Sequence, residues 1–310
     1  TLCRGRIVPQ EIADKEAAAK FFEAVGQVER IMNDSGFVTL TRLAASEITG
    51  QDGKAGIIEK YFSLSQTDTT CLKDIGLYPE EMRVGDDILC LHTLSDVEDL
   101  PGMVGTDCRF EKRSTDRSDC RLSFAAPVGV LLSCNHVYNQ FIFIDDHAEN
   151  LKNFEQTARN MQSLSRYSRA NQVNKEWIDE YLNEAHSKGL ISVRCHCNVM
   201  AWSNDREDLK RVRNDVGSQL ALMECKPRHN TTDTPTLFWA GIPGNEAAFP
   251  AEESFYTFLG QALCLFVEET NYKSSLSPFG IKMVDRVSGR PLHIAISDLP
   301  MKKGITTNRT

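Results

Sequence analysis

The stretch LISVRCHCNVMAW (residues 190–202) and the stretch SNDREDLKRVRNDVGSQLALM (residues 203–223) after it decide the fold. The first is rich in apolar and β-branched residues and predicts one long strand. In the second, apolar residues recur every three or four positions. They predict a helix that buries one face, formed by Leu209, Val212, Val216, Leu220 and Met223. Asn204, with Glu207 three residues later, predicts a capping box at the start of this helix.

Shorter patterns on both sides of this unit predict further elements. Helical spacing predicts helices over about 14–33, 54–64, 151–164 and 174–188, the last ending at Gly189, and another helix through Phe255, Leu259, Leu263 and Phe266. Alternating and apolar runs predict strands at 37–43, 88–92 and 224–227, and hairpins over 128–145 and 280–296. Strand and helix do not alternate regularly, which favours an α+β fold with helices packed on largely antiparallel sheets.

The chain has 310 residues, a length typical of about two domains. The polar, Gly- and Asp-rich stretch 95–119 predicts a long connection. We therefore expect an N-terminal α+β subdomain over 1–119, a second α+β subdomain over 120–275, and a hairpin that begins a further domain over 276–310. Because the chain starts on Thr1 and stops at Thr310, we expect a piece of a longer protein, trimmed at both ends.

Charge and composition exclude some classes of protein. The chain carries 35 Lys and Arg against 43 Asp and Glu, a net charge of −8. This balance argues against coating nucleic acid through bulk charge, although it leaves room for a local basic patch. No apolar run approaches the ~20 residues that a membrane-spanning helix needs. The ten cysteines contain no Cys-x-x-Cys pair, which favours reduced, partly buried thiols over a zinc site.

Two short clusters contain residue types that bind metals or transfer protons. In Cys195-His196-Cys197 a strand would place both cysteines on one face and the histidine on the other, so three ligands would not converge. His147 follows Asp145 and Asp146, which suggests either a metal or acid–base cluster or, more simply, a strand end followed by acids at a helix start. A phosphate-binding Gly-x-x-x-x-Gly-Lys-Ser/Thr loop does not occur in the 310 residues. The sequence predicts no catalytic, cofactor-binding or metal-binding residue.

Basic residues form two local groups that are candidates for nucleic-acid contact. Arg159, Arg166 and Arg169 surround Tyr167, and arginines interleaved with an aromatic residue can bind a phosphodiester strand. Lys210, Arg211 and Arg213 share one predicted helix. The alternative is a solvated surface with ion pairs, because four acids share that segment: Asp205, Glu207, Asp208 and Asp215.

Several longer motifs are distinctive, and with them the chain resembles a known family. They are QTDTTC (66–71), SLSRYSR (163–169), ECKPRH (224–229), TLFWAGIPGN (236–245) and SPFGIKMVDRVSGRPLHIAISDLPMKKGITTN (277–308). Over essentially the whole chain these residues resemble the TraG-type ATPases of conjugative transposons, which belong to the VirB-type motor ATPases of type IV secretion. In that family the pattern that ends Lys-Gly-Ile-x-Thr-Asn leads into the P-loop.

The resemblance implies a region that precedes the motor domain of a conjugation ATPase. ATP and Mg²⁺ would then belong to the parent protein, and none of the family's catalytic residues has a counterpart among these positions. The resemblance further implies a cytoplasmic protein, peripherally associated with the inner membrane through other type IV secretion and conjugation proteins, and self-association of the parent.

Three hypotheses of different classes follow. The first is a docking and assembly region that supports DNA transfer between bacteria, with ATP hydrolysis located downstream. The second is a module of the same machinery that contacts single-stranded DNA through Arg159, Arg166, Arg169 and the cluster at Lys210. The third, a free-standing enzyme, is the weakest, because no acid–base, metal or nucleophile constellation converges in the sequence.

Overall fold

The computed structural model describes most of the chain. The described residues are 10–35, 39–65, 67–68, 73–78, 81–111, 114–116, 121–129, 131–164, 167–229, 233–267, 280–284, 291–294, 301–302 and 305–306. Helices and antiparallel strands are mixed along these residues, which confirms the predicted α+β class.

Eight α-helices lie in the described part of the chain. They are α1 (Gln10–Asp34), α2 (Ala45–Thr49), α3 (Ile57–Ser63), α4 (His147–Leu164), α5 (Arg169–Lys188), α6 (Arg206–Leu222), α7 (Thr234–Ala240) and α8 (Leu259–Cys264). The described strands are β1 (Ile75–Leu77), β2 (Met82–Val84), β3 (Asp87–Leu94), β4 (Asp107–Arg109), β5 (Arg121–Ser123), β6 (His136–Phe143), β7 (Ser192–Ser203), β8 (Arg228–His229), β9 (Phe255–Phe258), β10 (Ile281–Val284), β11 (Pro291–Ile294), β12 (Met301–Lys302) and β13 (Ile305–Thr306).

The main sheet is built around β7. Its strand order is β1-β2-β3-β7-β6, with β8 beside β3 and β9 beside β7, and every pair is antiparallel. β7 pairs with β3 along Cys197–Ser203, with β9 along Ser192–Cys195, and with β6 along Arg194–Ala201. The strand predicted at 190–202 is therefore confirmed, and it is the central strand of the sheet.

One face of β7 carries the main hydrophobic core. Val193, Cys195, Cys197 and Val199 point to this face and are at most 2% exposed. They pack against the apolar face of α6, whose buried residues are Leu209, Val212, Val216 and Leu220. Each of the buried valines and leucines contributes roughly 1.5–3 kcal/mol by its removal from water. The helical face predicted from sequence spacing is confirmed.

The α4–α5 pair packs near the other face of β7. Ser192 and Phe258 are cross-strand partners, so their side chains share that face. Phe258 belongs to a small core with Leu151 of α4 and Leu182 of α5. Tyr181 of α5 stacks on the Phe258 ring at 4.4 Å and donates a hydrogen bond to Ser192 Oγ at 2.8 Å. The tyrosine therefore fixes α5 to β7 and β9 at once.

The chain divides into two compact units. One comprises residues 1–74 and 236–249, and the other comprises residues 75–235 and 250–310. In the first unit Tyr61 of α3 donates a hydrogen bond to the Phe238 carbonyl oxygen at 2.7 Å, and the two rings lie 5.0 Å apart. The predicted subdomains 1–119, 120–275 and 276–310 follow other boundaries and stay a prediction.

Several predicted helix boundaries are confirmed, and one is wrong by about five residues. The helices expected at 14–33, 54–64 and 151–164 correspond to α1, α3 and α4. Helix α5 begins at Arg169 rather than after Asn174, because Ser168 Oγ accepts a hydrogen bond from the Ala170 N–H at 3.2 Å and caps it. It ends, as predicted, at Gly189, which adopts the left-handed conformation with φ +62°.

Three predicted strands or hairpins are wrong. Of the strand expected at 37–43, residues 37–38 lie outside the described part of the chain, and residues 39–43 form no strand. They lie along α1, where Leu40 N–H donates to Asn33 Oδ1 at 2.7 Å and Arg42 pairs with Glu29. The expected hairpin over 128–145, with its turn at 135–139, is wrong, because residues 136–139 pair with β7 as the first half of the single strand β6. The strand expected at 224–227 is also wrong, since the short strand β8 follows it at Arg228–His229.

Two C-terminal predictions have different outcomes. The helix expected through Phe255 is wrong in its first turn, because Phe255–Phe258 pair with β7 as β9 and the helix begins at Leu259. The hairpin over 280–296 is confirmed by the antiparallel pairing of β10 with β11, from Ile281 opposite Ile294 to Val284 opposite Pro291. Its predicted turn at Ser288-Gly289 lies outside the described residues.

The cap of α6 lies one residue later than predicted. Asp205, not Asn204, is the N-cap, and its carboxylate accepts hydrogen bonds from the N–H groups of Glu207 and Asp208 at 3.2 and 3.4 Å. We expect Asp205→Ala to lower the free energy of unfolding by about 1 kcal/mol, because two N–H groups lose their acceptor. The measurement is urea unfolding followed by circular dichroism.

Asn204→Ala is the matched control, since Asn204 is an exposed neighbour that does not cap the helix. It should leave the urea midpoint unchanged. An equal loss in both variants would contradict the assignment of the cap to Asp205.

Candidate functional site

The first basic group lies along the α4–α5 pair. Arg159 is in the second half of α4 and its Nη2 lies 3.8 Å from Glu155 Oε2, a loose pair one helical turn apart. Arg169 is exposed and begins α5. Between the two helices Tyr167 is 85% exposed, whereas Arg166 lies outside the described residues. The structure therefore leaves an exposed aromatic ring next to an exposed arginine at the α4–α5 connection.

The second basic group lies on α6 and is balanced by acids. Lys210 Nζ lies 2.7 Å from Glu207 Oε1, and Arg211 Nη2 lies 2.5 Å from Asp208 Oδ1. Residues 205–215 contain four basic and four acidic side chains. A phosphate that bound here would have to displace carboxylates already paired with the cations, so this helix face offers little net positive potential.

Arg213 differs from the other two basic residues of α6. It is half-buried, its guanidinium lies beside the buried Cys90 thiol, and its Nε has no hydrogen-bond partner among the described residues. The side chain is thus directed toward the sheet rather than toward solvent. Of the six residues predicted for nucleic-acid contact, Arg169 and Arg159 are the better placed, and contact by any of the six stays a prediction.

A buried polar chain crosses the face of β7 opposite α6. His196 is 0% exposed, and its Nδ1 lies 2.6 Å from the Glu253 carbonyl oxygen, so Nδ1 carries the proton and donates. Its Nε2 then accepts from Asn198 Nδ2 at 2.9 Å, and Asn198 Oδ1 accepts from Asn139 Nδ2 at 3.0 Å. Burial lowers the pKa of His196 to about 4. The imidazole is therefore neutral at pH 7 and has a structural role: it ties residue 253 to the central strand.

The thiols of Cys195-His196-Cys197 lie as the strand geometry predicted. Cys195 and Cys197 point into the core under α6, whereas His196 points to the other face. Cys90 and Cys225 share that core, and burial raises the pKa of Cys90 to about 11 and that of Cys225 to about 12. Protonated, buried thiols are poor nucleophiles and poor metal ligands. In the part of the chain that the structure describes, no three His, Cys, Asp or Glu side chains are grouped for a metal ion.

The acids around His147 have separate structural roles. Asp145 pairs with Arg194 at 2.6 Å, and Asp146 Oδ1 accepts from the N–H groups of Ala148 and Glu149 and so caps α4. His147 Nδ1 accepts from the Ser192 N–H at 3.0 Å, which joins the start of α4 to β7. The simpler prediction, a strand end followed by acids at a helix start, is confirmed.

Sequence patterns did not reveal one ion pair between a buried carboxylate and an exposed arginine. Asp99 is 5% exposed, its Oδ2 accepts from the N–H groups of Ser95 and Asp96 at 3.1 and 3.0 Å, and Arg228 Nε donates to its Oδ1 at 3.0 Å. Arg228 also pairs with Asp96. The sequence signal is the spacing of three between Asp96 and Asp99, which is typical of a capped turn, but the partner lies 129 residues away.

An apolar stripe on α1 is exposed. It consists of Phe21, Val28, Ile31 and Met32, and the first three are 60%, 56% and 65% exposed. The spacing of these residues places them on one side of the helix. An adjoining side of the helix is bound to residues 40–42 through Asn33 and Glu29. Exposed apolar residues that share one helix face mark an interaction surface more often than scattered single ones do.

The β10–β11 hairpin also exposes apolar side chains. Ile281 and Met283 on β10 and Ile294 on β11 are exposed, and Ile281 lies opposite Ile294. At the start of β10 the backbone lies close to its partner, since a Cβ on Gly280 would lie 2.5 Å from His293 Nε2 and 2.7 Å from the Ile294 carbonyl oxygen. A side chain at position 280 would therefore disturb the pairing of the hairpin.

Comparison with known protein families gives a match over this hairpin. The family model of the TraG P-loop domain matches residues 280–310, which contain β10 to β13. No curated protein matches the chain. The match supports a relationship to the TraG-type conjugation ATPases, in agreement with the resemblance of the sequence motifs.

In the described part of the chain we find no helix whose length and hydropathy would let it span a bilayer.

The buried His196 generates a prediction about acid stability. Its pKa is about 4 in the folded chain and about 6.5 when unfolded, so the unfolded chain takes up the proton first as the pH falls. We expect full stability above pH ~6.5 and a progressive loss of up to about 3 kcal/mol down to pH ~4, at 1.36 kcal/mol per pKa unit.

His196→Gln should flatten this part of the stability curve, measured by urea unfolding at pH 4 to 8, because glutamine does not titrate. His186→Gln is the control, since His186 is exposed on α5 and should leave the curve as it is. Parallel curves for the chain and His196→Gln would contradict the role of the buried imidazole.

Proposed function

We propose that residues 1–275 of this chain are the docking and assembly region of a conjugative-transfer ATPase in type IV secretion, and that residues 276–310 begin its motor domain. The observation that carries the proposal is the TraG P-loop family match over residues 280–310. It falls on the last described hairpins, after the α+β sheet of residues 75–267. In this proposal the chain supports DNA transfer between bacteria by connecting a motor to its secretion complex.

The exposed stripe on α1 supports docking. Phe21, Val28 and Ile31 each present more than half of their surface to solvent on one side of a 25-residue helix. Burying a valine or larger apolar side chain is worth at least ~1.5 kcal/mol, so three such residues contribute enough free energy to hold a partner helix. We assign this stripe to contact with another conjugation protein at the inner membrane. The chain would then be cytoplasmic and associated with the membrane only through that partner.

The β10–β11 hairpin supports a connection to the motor. Its exposed apolar residues Ile281, Met283 and Ile294 lie within the matched segment. A P-loop domain needs such strands to pack against further elements, because a two-stranded hairpin alone is at best marginally stable in water. We assign ATP and Mg²⁺ binding to the motor domain of the parent protein, since the phosphate-binding loop does not occur in these 310 residues.

DNA transfer tests the docking proposal directly. In the parent protein, Val28→Glu should lower the frequency of conjugative transfer about tenfold, because a buried valine is worth ~1.5 kcal/mol and 1.4 kcal/mol is a factor of ten. The measurement is the count of transconjugants per donor cell, at equal protein abundance.

Ala19→Glu is the matched control. It adds the same charge at an exposed residue on the opposite side of α1, because nine positions of an α-helix separate it from Val28. Transfer that stays at the unmodified level in Val28→Glu would contradict a docking role for the stripe. An equal loss of transfer in both variants would mean that an added negative charge on α1 lowers transfer wherever it lies on the helix.

A second candidate function is contact with single-stranded DNA at the α4–α5 connection. The observation that favours it is the ring of Tyr167, 85% exposed and two residues from the exposed Arg169. An exposed aromatic ring can stack on a base while the arginine binds the adjoining phosphate. Arg159 on α4 is the nearest cation before Tyr167 in the sequence whose side chain the structure describes.

Fluorescence anisotropy of a labelled oligonucleotide tests this candidate. Binding at ~50 mM salt should weaken in Arg159→Ala/Arg169→Ala, and the slope of log K against log salt should fall by about 1.4 units, at 0.7 per phosphate contact. Lys210→Ala/Arg211→Ala is the control variant. Both of these cations are paired with carboxylates in the unmodified chain, so the variant should bind the oligonucleotide as tightly as that chain does. No binding at ~50 mM salt would reject the candidate, because phosphate contacts are strongest at low salt.

A further inference from the structure

Strand β6 is an outer strand of the main sheet. It ends the strand order β1-β2-β3-β7-β6, and all eight of its residues, His136–Phe143, pair with β7. Among the residues that the structure describes, no strand pairs with its other side. An outer strand presents a row of main-chain N–H and C=O groups that another strand can bind.

The register identifies which residues of β6 present these groups. Trp202 N–H donates to the Asn135 carbonyl oxygen at 3.2 Å, just before the strand. In an antiparallel pair, hydrogen-bonded and non-hydrogen-bonded residue pairs alternate. The odd-numbered residues of β6 therefore bond to β7, and the even-numbered residues, His136, Tyr138, Gln140 and Ile142, direct their main-chain groups away from it.

These four residues have no main-chain hydrogen-bond partner in the described part of the chain. Two of them are held in place by their side chains. The Tyr138 hydroxyl donates to the Leu265 carbonyl oxygen at 2.8 Å, and Gln140 Nε2 donates to the Ala262 carbonyl oxygen at 2.6 Å. The side chains are thus fixed to the segment around α8, and the open main-chain edge is held straight by β7.

β6 lacks the features that usually protect an edge. Its sequence HVYNQFIF contains no proline, no glycine, no lysine and no acidic residue. Ile144, which follows the strand directly, is 73% exposed. Natural outer strands are commonly blunted by charge, proline or a bulge, and a neutral eight-residue strand without them is suited to accept another strand.

We propose that β6 pairs antiparallel with β6 of a second copy of this chain, around a two-fold axis at Gln140, so that two sheets join into one. The axis is perpendicular to the sheet, and paired residues therefore share a face. Tyr138 of one copy lies opposite Ile142 of the other, and Val137 opposite Phe143. Aromatic residues opposite β-branched ones are favourable cross-strand pairs.

The charges also fit a second copy. No like charges meet across the axis, because the strand itself carries no acidic or lysine side chain, and Asp145 lies opposite Asn135. The exposed Ile144 lies opposite His136, which extends the pairing by one residue at each end. The Gln140 pair and the two Tyr138–Ile142 pairs supply about six main-chain hydrogen bonds, two for each hydrogen-bonded residue pair. An isologous contact of this kind closes a dimer.

This inference deepens the assembly part of the proposed function and names its surface. It is separable from docking through α1, which has its own substitution and readout. Loss of DNA transfer in Val28→Glu, together with no dimerisation through β6, would reject this inference and leave the docking proposal standing.

The first experiment measures the mass of the 310-residue chain by light scattering after size-exclusion chromatography, over a range of concentrations. We expect a dimer that dissociates on dilution. Gln140→Pro removes the central N–H without removing any bond to β7, and should weaken the dimer more than tenfold. Gln140→Ala is the matched control: it loses the same side-chain bond to Ala262 but keeps the N–H, and should dimerise like the unmodified chain.

The second experiment uses the unmodified chain, so its result does not depend on whether the proline variant folds. Residue-resolved hydrogen exchange should show the amides of Tyr138, Gln140 and Ile142 protected at high protein concentration and exchanging rapidly at low concentration. The amides of Val137 and Asn139, which bond to β7, should be protected at both. This alternation along one strand is specific to pairing at the open edge.

Three results would overturn the proposal. They are a monomer at all concentrations, a dimer that Gln140→Pro leaves intact, and equal exchange of the Tyr138, Gln140 and Ile142 amides at high and low concentration. Protection of these amides only after a different conjugation protein is added would also overturn the proposal. It would show that β6 pairs with that protein and not with a second copy of the chain.

Discussion

The pairing of β7 with three neighbouring strands is the constraint on which the rest of the described sheet depends. Its twelve residues bond to β3 and β9 along one side and to β6 along the other. Because both edges of the strand are occupied, its side chains must divide between two faces with a fixed alternation. That alternation places Cys195, Cys197 and Val199 under α6 and His196 and Asn198 on the opposite face.

The buried His196 and Asp99 side chains have hydrogen-bond partners, and this determines what they can do chemically. His196 donates to a carbonyl oxygen and accepts from Asn198, so its imidazole stays neutral in the interior. Asp99 has two N–H donors and the Arg228 guanidinium. Groups satisfied in this way stabilise one arrangement of loops around the sheet and are not available to exchange protons with a substrate.

The proposed functions therefore rest on exposed features of the molecule rather than on its buried polar groups. Among the residues that the structure describes, three features stand out as exposed: the stripe on α1, the apolar side of the β10–β11 hairpin, and the main-chain edge of β6. The hairpin lies within the segment matched by the TraG P-loop family. A region that connects a motor to its complex needs surfaces of these kinds, and the proposed functions assign the stripe to a conjugation partner and the hairpin to the motor. The edge of β6 is assigned to a second copy.

Sequence patterns correctly predicted the elements whose signal is local. The apolar patterns that predict helix α6 and strand β7 lie within the residues of those elements themselves. Gly189 ends α5 because glycine readily adopts the left-handed conformation. Patterns failed where a distant partner decides. Residues 255–258 have helical spacing but form a strand because β7 is there to pair with them. The polar segment 135–139 resembles a turn, but His136–Asn139 pair with β7 as part of β6.

The candidate sites divide in the same way. The sequence by itself determined that the two cysteines of Cys195-His196-Cys197 share one face of a strand, and its motifs indicated a conjugation ATPase. Only the tertiary structure decided that Lys210 and Arg211 are paired with acids and that Arg213 is turned toward the sheet. It also decided that no other described residues cover the α1 stripe or pair with the outer side of β6. Periodicity specifies which residues share a face, because backbone geometry is local, whereas burial and pairing depend on what the rest of the chain brings to that face.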